Sequence, residues 1–460
     1  MSGGGSASPV APANALEAAV GTVLDELRTF RLRWWPPLLL GFVMLFDSWD
    51  SAAIAYVLPV LVKEWRLDPV AMGTLISAGY AGQLIGALTM GGLAERFGRL
   101  PVIAWAVTAM CLLGVICAIC PNYETLLPAR FLQGLAIGGA LPVAVTYINE
   151  LAPTATRGRY FGTFQFLCLS GYTAAAIAST FIVPHLGWRW MFGLGALPLL
   201  LLPVMLATLP ESPRWLARAG RESDVRKALA RLGAGGRADG LPVGVDSARS
   251  VREEAPAIPV SALFGAKYRL RTLVLVTIWF LSSFTSFGLT TWVPSLYVTV
   301  FDFPVEEALR YVAIASVVSL FVPVLPALLI DRIGRRPMAM AGAAVSAAGL
   351  LSLASLPQTG TVLLIVLVIA GQFGIGVALV TTWPYTAENF PTPMRAMAVG
   401  FISSFARVAS MCTPLFVGVV LATSKSVEVV FAGFGVCALG ALFLWLVASR
   451  ETARTRLEDL

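Results

Sequence analysis

The sequence predicts an all-α polytopic membrane protein whose twelve transmembrane helices form two pseudo-symmetric six-helix bundles. Three observations predict it. Hydrophobic residues make up 57% of the 460 residues and charged ones only 13%, with a mean hydropathy of +0.78, well outside the composition of a soluble domain. Twelve apolar stretches, each close to the roughly 20 residues that cross a bilayer, recur between residues 37 and 448. Two pairs of short charged words repeat along the chain with offsets of 236 and 238 residues.

The stretches cover 37–62, 71–94, 101–120, 125–150, 161–183, 190–209, 270–300, 307–330, 338–356, 361–387, 396–422 and 427–448. They are too long for barrel strands and lack their alternation, and backbone polar groups in lipid must be satisfied within the segment, so helices follow. Around them lie an N-terminal tail at 1–36, a first bundle at 37–209, a linker at 210–269, a second bundle at 270–448 and a C-terminal tail at 449–460. Within the first tail, Glu17 to Arg33 suits a short surface helix, and the opening residues lack the basic start and apolar core of a signal peptide.

Lys and Arg set the orientation. With both termini cytoplasmic, the outer loops and their edges hold only Lys63, Arg66, Arg189, Arg310 and Lys425, and Arg130 and Arg407 lie inside spans. The net charge of +7 therefore reflects membrane orientation, and no nucleic-acid partner is expected.

Catalytic chemistry has little to build on. The six cysteines (Cys111, Cys117, Cys120, Cys168, Cys412, Cys437) lie in or beside apolar segments, and the Cys117/Cys120 pair has no redox scaffold around it, so they read as packing residues. The one histidine, His185, falls in an outer loop. With no nucleophile and base pair, metal cluster or phosphate loop in view, neither an enzyme, a metal nor a cofactor is expected.

The repeated words carry a resemblance. After span two the chain reads Gly91-Gly-Leu-Ala-Glu95-Arg96-Phe-Gly98-Arg99, and after span eight Ala327-Leu-Leu-Ile-Asp331-Arg332-Ile-Gly334-Arg335-Arg336. Glu150-Leu-Ala-Pro153-Thr-Ala-Thr-Arg157 follows span four, and Glu388-Asn-Phe-Pro391-Thr-Pro-Met-Arg395 follows span ten. These words resemble the signatures of the major facilitator superfamily over nearly the whole chain, and Pro210-Glu211-Ser212-Pro213-Arg214 resembles its sugar-porter branch. The resemblance implies the major facilitator fold, a monomer, and a latch at the cytoplasmic helix ends that holds the outward-facing state and breaks for transport. Its members here are Glu95, Arg96, Arg99, Glu150 and Arg157, with Asp331, Arg332, Arg335, Glu388 and Arg395 opposite. Plain positive-inside anchoring is the alternative. Glu95 stands where the family usually has Asp, and Leu100 where it has a basic residue, which implies an altered latch.

Ionisable residues inside spans are costly and usually functional. Asp47 and Asp50, three apart in span one, share a helix face and are expected to point together into a central cavity, where burial and mutual repulsion favour a protonated carboxyl and hence proton coupling. A permanent structural salt bridge is the alternative. Arg130, in Arg130-Phe-Leu-Gln133-Gly134, resembles the sugar-porter arginine that pairs with a span-one aspartate. By helix rise, Asp50 lies roughly 18 Å and Arg130 roughly 8 Å below the outer ends of their spans, a gap a long side chain nearly covers. Arg407, halfway along span eleven, needs an anion, either a protein carboxylate or that of a cargo. Trp49, Tyr147, Trp292, Tyr297, Trp383 and Tyr385 offer flat surfaces, with Gln133, Gln165 and Gln372 as polar contacts; each taken singly is also a packing residue.

Phe46-Asp47-Ser-Trp-Asp50, Gly139-Ala140-Leu141-Pro142-Val143-Ala144, Trp292-Val-Pro294-Ser, Pro384-Tyr385-Thr-Ala-Glu388 and Phe405-Ala-Arg407 together resemble the bacterial nicotinate transporter group. That resemblance implies proton-coupled uptake of a small aromatic monocarboxylate, nicotinate first, across the inner membrane by alternating access. Ala140 departs from a glutamate common in that group. The aspartate-rich first span also resembles the aromatic acid and proton symporters that carry benzoate-like compounds. Sugar and organic-cation carriers, and a nutrient sensor on the same scaffold, stay open as alternatives.

Overall fold

The computed structural model describes residues 12–27, 29, 32, 34–234, 259–355 and 360–451. Residues 235–258 of the expected linker, 1–11, 28, 30, 31 and 33 of the N-terminal tail and 452–460 of the C-terminal tail lie outside the described residues. Helix α1 (Pro12–Glu26) comes first. Leu16, Val20 and Leu24 recur every fourth residue, forming one apolar stripe that is fully covered.

The first half comprises α2 (Trp35–Trp65), α3 (Pro69–Phe97), α4 (Arg99–Ile119), α5 (Tyr123–Leu151), α6 (Arg157–His185) and the broken pair α7 (Arg189–Leu194) and α8 (Pro198–Thr208). Two short helices of the linker, α9 (Pro213–Arg218) and α10 (Glu222–Arg231), follow. The second half comprises α11 (Arg269–Thr299), α12 (Val305–Ser319) with α13 (Val324–Ile333), α14 (Arg335–Ser355), α15 (Thr361–Glu388), α16 (Thr392–Ser424) and α17 (Val427–Val447). Among the described residues eleven spans are long and apolar enough to cross a membrane, and α12 with α13 makes a twelfth, bent by 40°.

That bend departs from the continuous span expected at 307–330. Pro323 has no N–H to donate and its ring crowds the preceding turn, so the chain passes through three-residue turns, with Leu320, Phe321 and Val322 donating to the carbonyls of Val317, Val318 and Ser319. Elsewhere the termini are set locally. Asp68 accepts from the Ala71 N–H at 2.7 Å and Asn122 from the Thr125 N–H at 3.1 Å, while Arg66 and Lys425 close α2 and α16 in the left-handed conformation.

Within the first half α3 packs on α5 and α2 on α6; within the second, α14 packs on α15 and α17, and α11 on α16. Across the halves α3 meets α16, α6 meets α12, and α2 meets α11. These cross-contacts are tight at the side away from the linker. A side-chain carbon at Gly73 would stand 2.4 Å from the Pro414 carbonyl oxygen, and one at Gly418 the same distance from that of Pro69. Ser77 donates to the Met411 carbonyl at 2.7 Å, Thr173 to that of Ser316 at 3.2 Å. Toward the linker side, a side-chain carbon added at Gly91 or Gly92 of α3, Gly158 or Gly162 of α6 or Gly400 of α16 would meet nothing within 4 Å.

Candidate functional site

The two span-one aspartates do not face the same way. Residues three apart on an α-helix differ by about 60° around the axis, and in the packed bundle that angle separates them. Asp50 is fully buried among helices of the first half, with Arg130 and Gln133 of α5 as the polar side chains acting on it and Gly195 at its back. Arg130 Nη1 donates to the Gln133 side-chain oxygen at 2.6 Å and to the Asp50 backbone carbonyl at 3.4 Å, and its guanidinium lies 5.4 Å from the Phe192 ring centroid. Both Asp50 carboxylate oxygens, the Arg130 Nε and the Gln133 amide nitrogen are buried without a hydrogen-bond partner. Arg130 thus reaches the Asp50 backbone carbonyl, while no ion pair joins its guanidinium to the Asp50 carboxylate.

Asp47 is 5% exposed and its Oδ1 is likewise unpartnered. The cation whose charge acts on it is Arg407 of α16, from the other half, and Asp47 and Tyr172 are the groups whose charges act on Arg407. No described carboxylate lies within 4.0 Å of the Arg407 guanidinium. A cation and an anion thus face each other across the seam between the halves with a gap between them.

Tyr172 was not singled out from the sequence, nor were Tyr56 and Tyr80. All three belong here: Tyr56 donates to the Tyr172 carbonyl at 3.5 Å, and Tyr80 packs edge-on against Phe287 across the seam at 5.5 Å. A tyrosine well inside an apolar span, away from the interfacial belt, is the signal that marks them. Beyond them, toward the sealed side, a cavity of about 20 Å³ is lined by Tyr56, Thr290, Tyr297, Ser316 and Gln372, with room for roughly one water. Tyr297 and Gln372 thus share one wall, while Trp292 is fully buried with its indole N–H unpartnered. Gln165 is half-buried on α6, one turn from Cys168, which senses the Asp47 charge.

Four of the aromatic candidates lie elsewhere. Trp49 donates to the Met191 carbonyl at 2.8 Å inside the first half. Tyr147 donates to the Pro210 carbonyl at 2.6 Å, and Tyr385 accepts from the Arg450 N–H at 3.1 Å and leans on Trp445, so both anchor helix ends at the linker side. Trp383 is 51% exposed and stands edge-on to Trp279. The polar groups of Trp49, Tyr147 and Tyr385 are thus committed to backbone partners.

At the linker side the charged words build two matching clusters. Arg99 is buried and pairs with Glu95 at 2.8 Å and Glu150 at 3.1 Å, with Arg218 of α9 also on Glu150. Arg335 pairs with Asp331 at 2.9 Å and Glu388 at 3.1 Å. Each of these pairs lies within its own half. Arg96, Arg157 and Arg332 are exposed, and the Arg395 Nε is buried without a partner.

The family described as "Sugar (and other) transporter" matches residues 41–460. The chain belongs to that family, within the major facilitator superfamily. This facilitator is 32% identical over 426 residues to the niacin transporter NiaP of Acinetobacter baylyi, covering 92% of the chain and 95% of the relative. It is 31% identical over 423 residues to a gallate transporter of Pseudomonas putida, covering 91% and 92%. Its fold matches the partially occluded inward open xylose transporter XylE of E. coli with a TM-score of 0.71 at 20% identity, over 93% and 99% of the two chains. The facilitator is accordingly a multi-pass membrane transporter of small molecules and not an enzyme.

Proposed function

We propose that this facilitator takes up a small aromatic monocarboxylate, nicotinate first, together with a proton, by alternating access across the bacterial inner membrane. The observation that carries the reading is Arg407, a cation at the seam with no described carboxylate within 4.0 Å. Such a group cannot shed its charge and offers a bidentate dock for a carboxylate. The named cargoes of the two relatives, niacin and gallate, support an aromatic acid. Asp50 and Arg130 are assigned to proton coupling: protonation of Asp50 weakens its attraction to Arg130 inside the first half and so biases the conformational equilibrium of that half.

The linker side is cytoplasmic in this reading, with both termini there, and the sealed far side with an open linker side corresponds to an inward-facing state. In the outward-facing state the linker-side clusters around Arg99 and Arg335 would meet across the halves as the latch. A benzoate-type acid is the second reading, supported by a benzoate transport protein of Acinetobacter baylyi, 26% identical over 443 residues.

Proteoliposome uptake of labelled nicotinate, with and without an inward proton gradient, tests the reading. Gradient-driven uptake competed by benzoate and not by nicotinamide is expected. Absence of uptake of either acid by folded protein would refute it.

A further inference from the structure

We infer that Asp47 is a displaceable counter-ion for Arg407: a cargo carboxylate takes its place, and Asp47 binds a proton as it loses its partner. The inference deepens the carboxylate reading above and rests on it. It assigns the two span-one aspartates different work, whereas their spacing suggested one shared site.

The geometry supports this division. Asp50 is fully buried, with Arg130, Gln133 and Gly195 of its own half beside it and both carboxylate oxygens without a hydrogen bond. Asp47 sits at the seam, nine-tenths buried, with an unpartnered oxygen. The groups facing it are Arg407 from α16, Tyr172 and Cys168 from α6, and Asp50 on its own helix. The only cation among them is Arg407, and it is held beyond ion-pairing distance, as a mobile counter-ion requires. When an anion docks on Arg407, Asp47 is left as a buried carboxylate beside a second negative charge. Taking a proton relieves both the desolvation and the repulsion.

Proton and anion binding are then linked at one place, because each favours the other. One proton enters with one monoanion, so the cycle moves no net charge through this pair. No bond other than O–H of the Asp47 carboxyl forms or breaks.

The test is equilibrium binding of nicotinate and of benzoate to the purified, detergent-solubilised protein by calorimetry, from pH 6 to pH 8, where both cargo acids stay ionised. In wild type the affinity should fall by about tenfold per pH unit once Asp47 ionises and competes for Arg407. Asp47→Asn removes the competitor, so its affinity should be flat with pH and tighter than wild type at pH 8. A purely structural aspartate would give the opposite sign, weaker binding at every pH. Asp50→Asn should keep a pH slope, though shifted along the pH axis by the loss of the neighbouring charge, since the carboxyl that competes for Arg407 is that of Asp47. A wild-type slope retained in Asp47→Asn, a slope lost in Asp50→Asn alone, or a flat wild type would each overturn the inference while leaving carboxylate binding intact. If neither acid binds folded wild type, the carboxylate reading itself falls and the inference with it.

Discussion

Glu211 and Glu451 occupy matching places in the two halves, each capping the turn that closes a Gly-Arg word. Glu211 accepts from the backbone N–H of Arg99 at 3.1 Å and of Leu100 at 3.2 Å; Glu451 accepts from those of Arg335 and Arg336 at 3.0 Å each. The caps satisfy orphan donors at the starts of α4 and α14 and place negative charge at their positive ends. Gly98 and Gly334 make this possible, both at φ 104°. A side-chain carbon would stand 2.4 Å from a Glu211 oxygen at the first and 2.5 Å from a Glu451 oxygen at the second.

Gly98→Ala should therefore destabilise by about 1–3 kcal/mol through backbone strain and a displaced cap. The thermal midpoint in detergent reads it, and an unchanged midpoint would show the turn to be free of that constraint.

Burial holds the Glu211 carboxyl above its ordinary range, against the backbone N–H groups of Ser212, Arg99 and Leu100, which favour the charge. A raised value means the folded state holds the proton more tightly than the unfolded chain. The associated stability is whole below the ordinary value of 4.5 and is lost as pH rises through the raised one. The midpoint of wild type relative to Glu211→Gln should climb as pH is lowered from 7 to 5. A decline over that range would show that the fold favours the charged cap.

Arg407→Ala should abolish aromatic acid uptake, and Arg407→Lys should restore only a small part of it, because an ammonium lacks the planar fork. The loss should exceed tenfold, the scale of a charge-assisted pair of 1.5–3 kcal/mol. Uptake near wild type in the alanine variant would assign the arginine to structure alone.

Asp50→Asn should weaken gradient-driven accumulation, the proton taken at Asp47 remaining, while leaving exchange of labelled for unlabelled cargo, since a neutral side chain mimics the loaded state permanently. Loss of both activities in a folded variant would point to a packing role against Arg130 instead.

Gly418→Leu should prevent the far side from sealing, because α3 and α16 meet backbone to backbone there. Transport is expected to fail in an otherwise folded protein, and a cysteine placed at Thr290, on the cavity wall, should become reactive to a thiol reagent added from the far side. Wild-type uptake would show that this contact is not needed in the cycle.

Span count, two-half organisation and the charged words were legible from residue order because each depends on local chemistry. Bilayer thickness sets segment length, and backbone hydrogen bonding in lipid leaves helices as the answer. The Pro323 break was written in the sequence too, though apolar length alone hid it. Tyr147 and Tyr385 illustrate what composition could not resolve, since an aromatic ring in a span reads alike whether it lines a cleft or ties down a helix end.

The sequence by itself determined that Asp47, Asp50, Arg130 and Arg407 lie within lipid-spanning helices, and that such charges must find partners or work. Which charge faces which was decided only by tertiary packing. Asp47 and Asp50 are three residues apart on one helix, yet a rotation of about 60° is enough to put one at the seam before Arg407 and the other inside the first half before Arg130. The partners come from α16 and α5, some 360 and 80 residues along the chain, so only the packing of the helices brings them near.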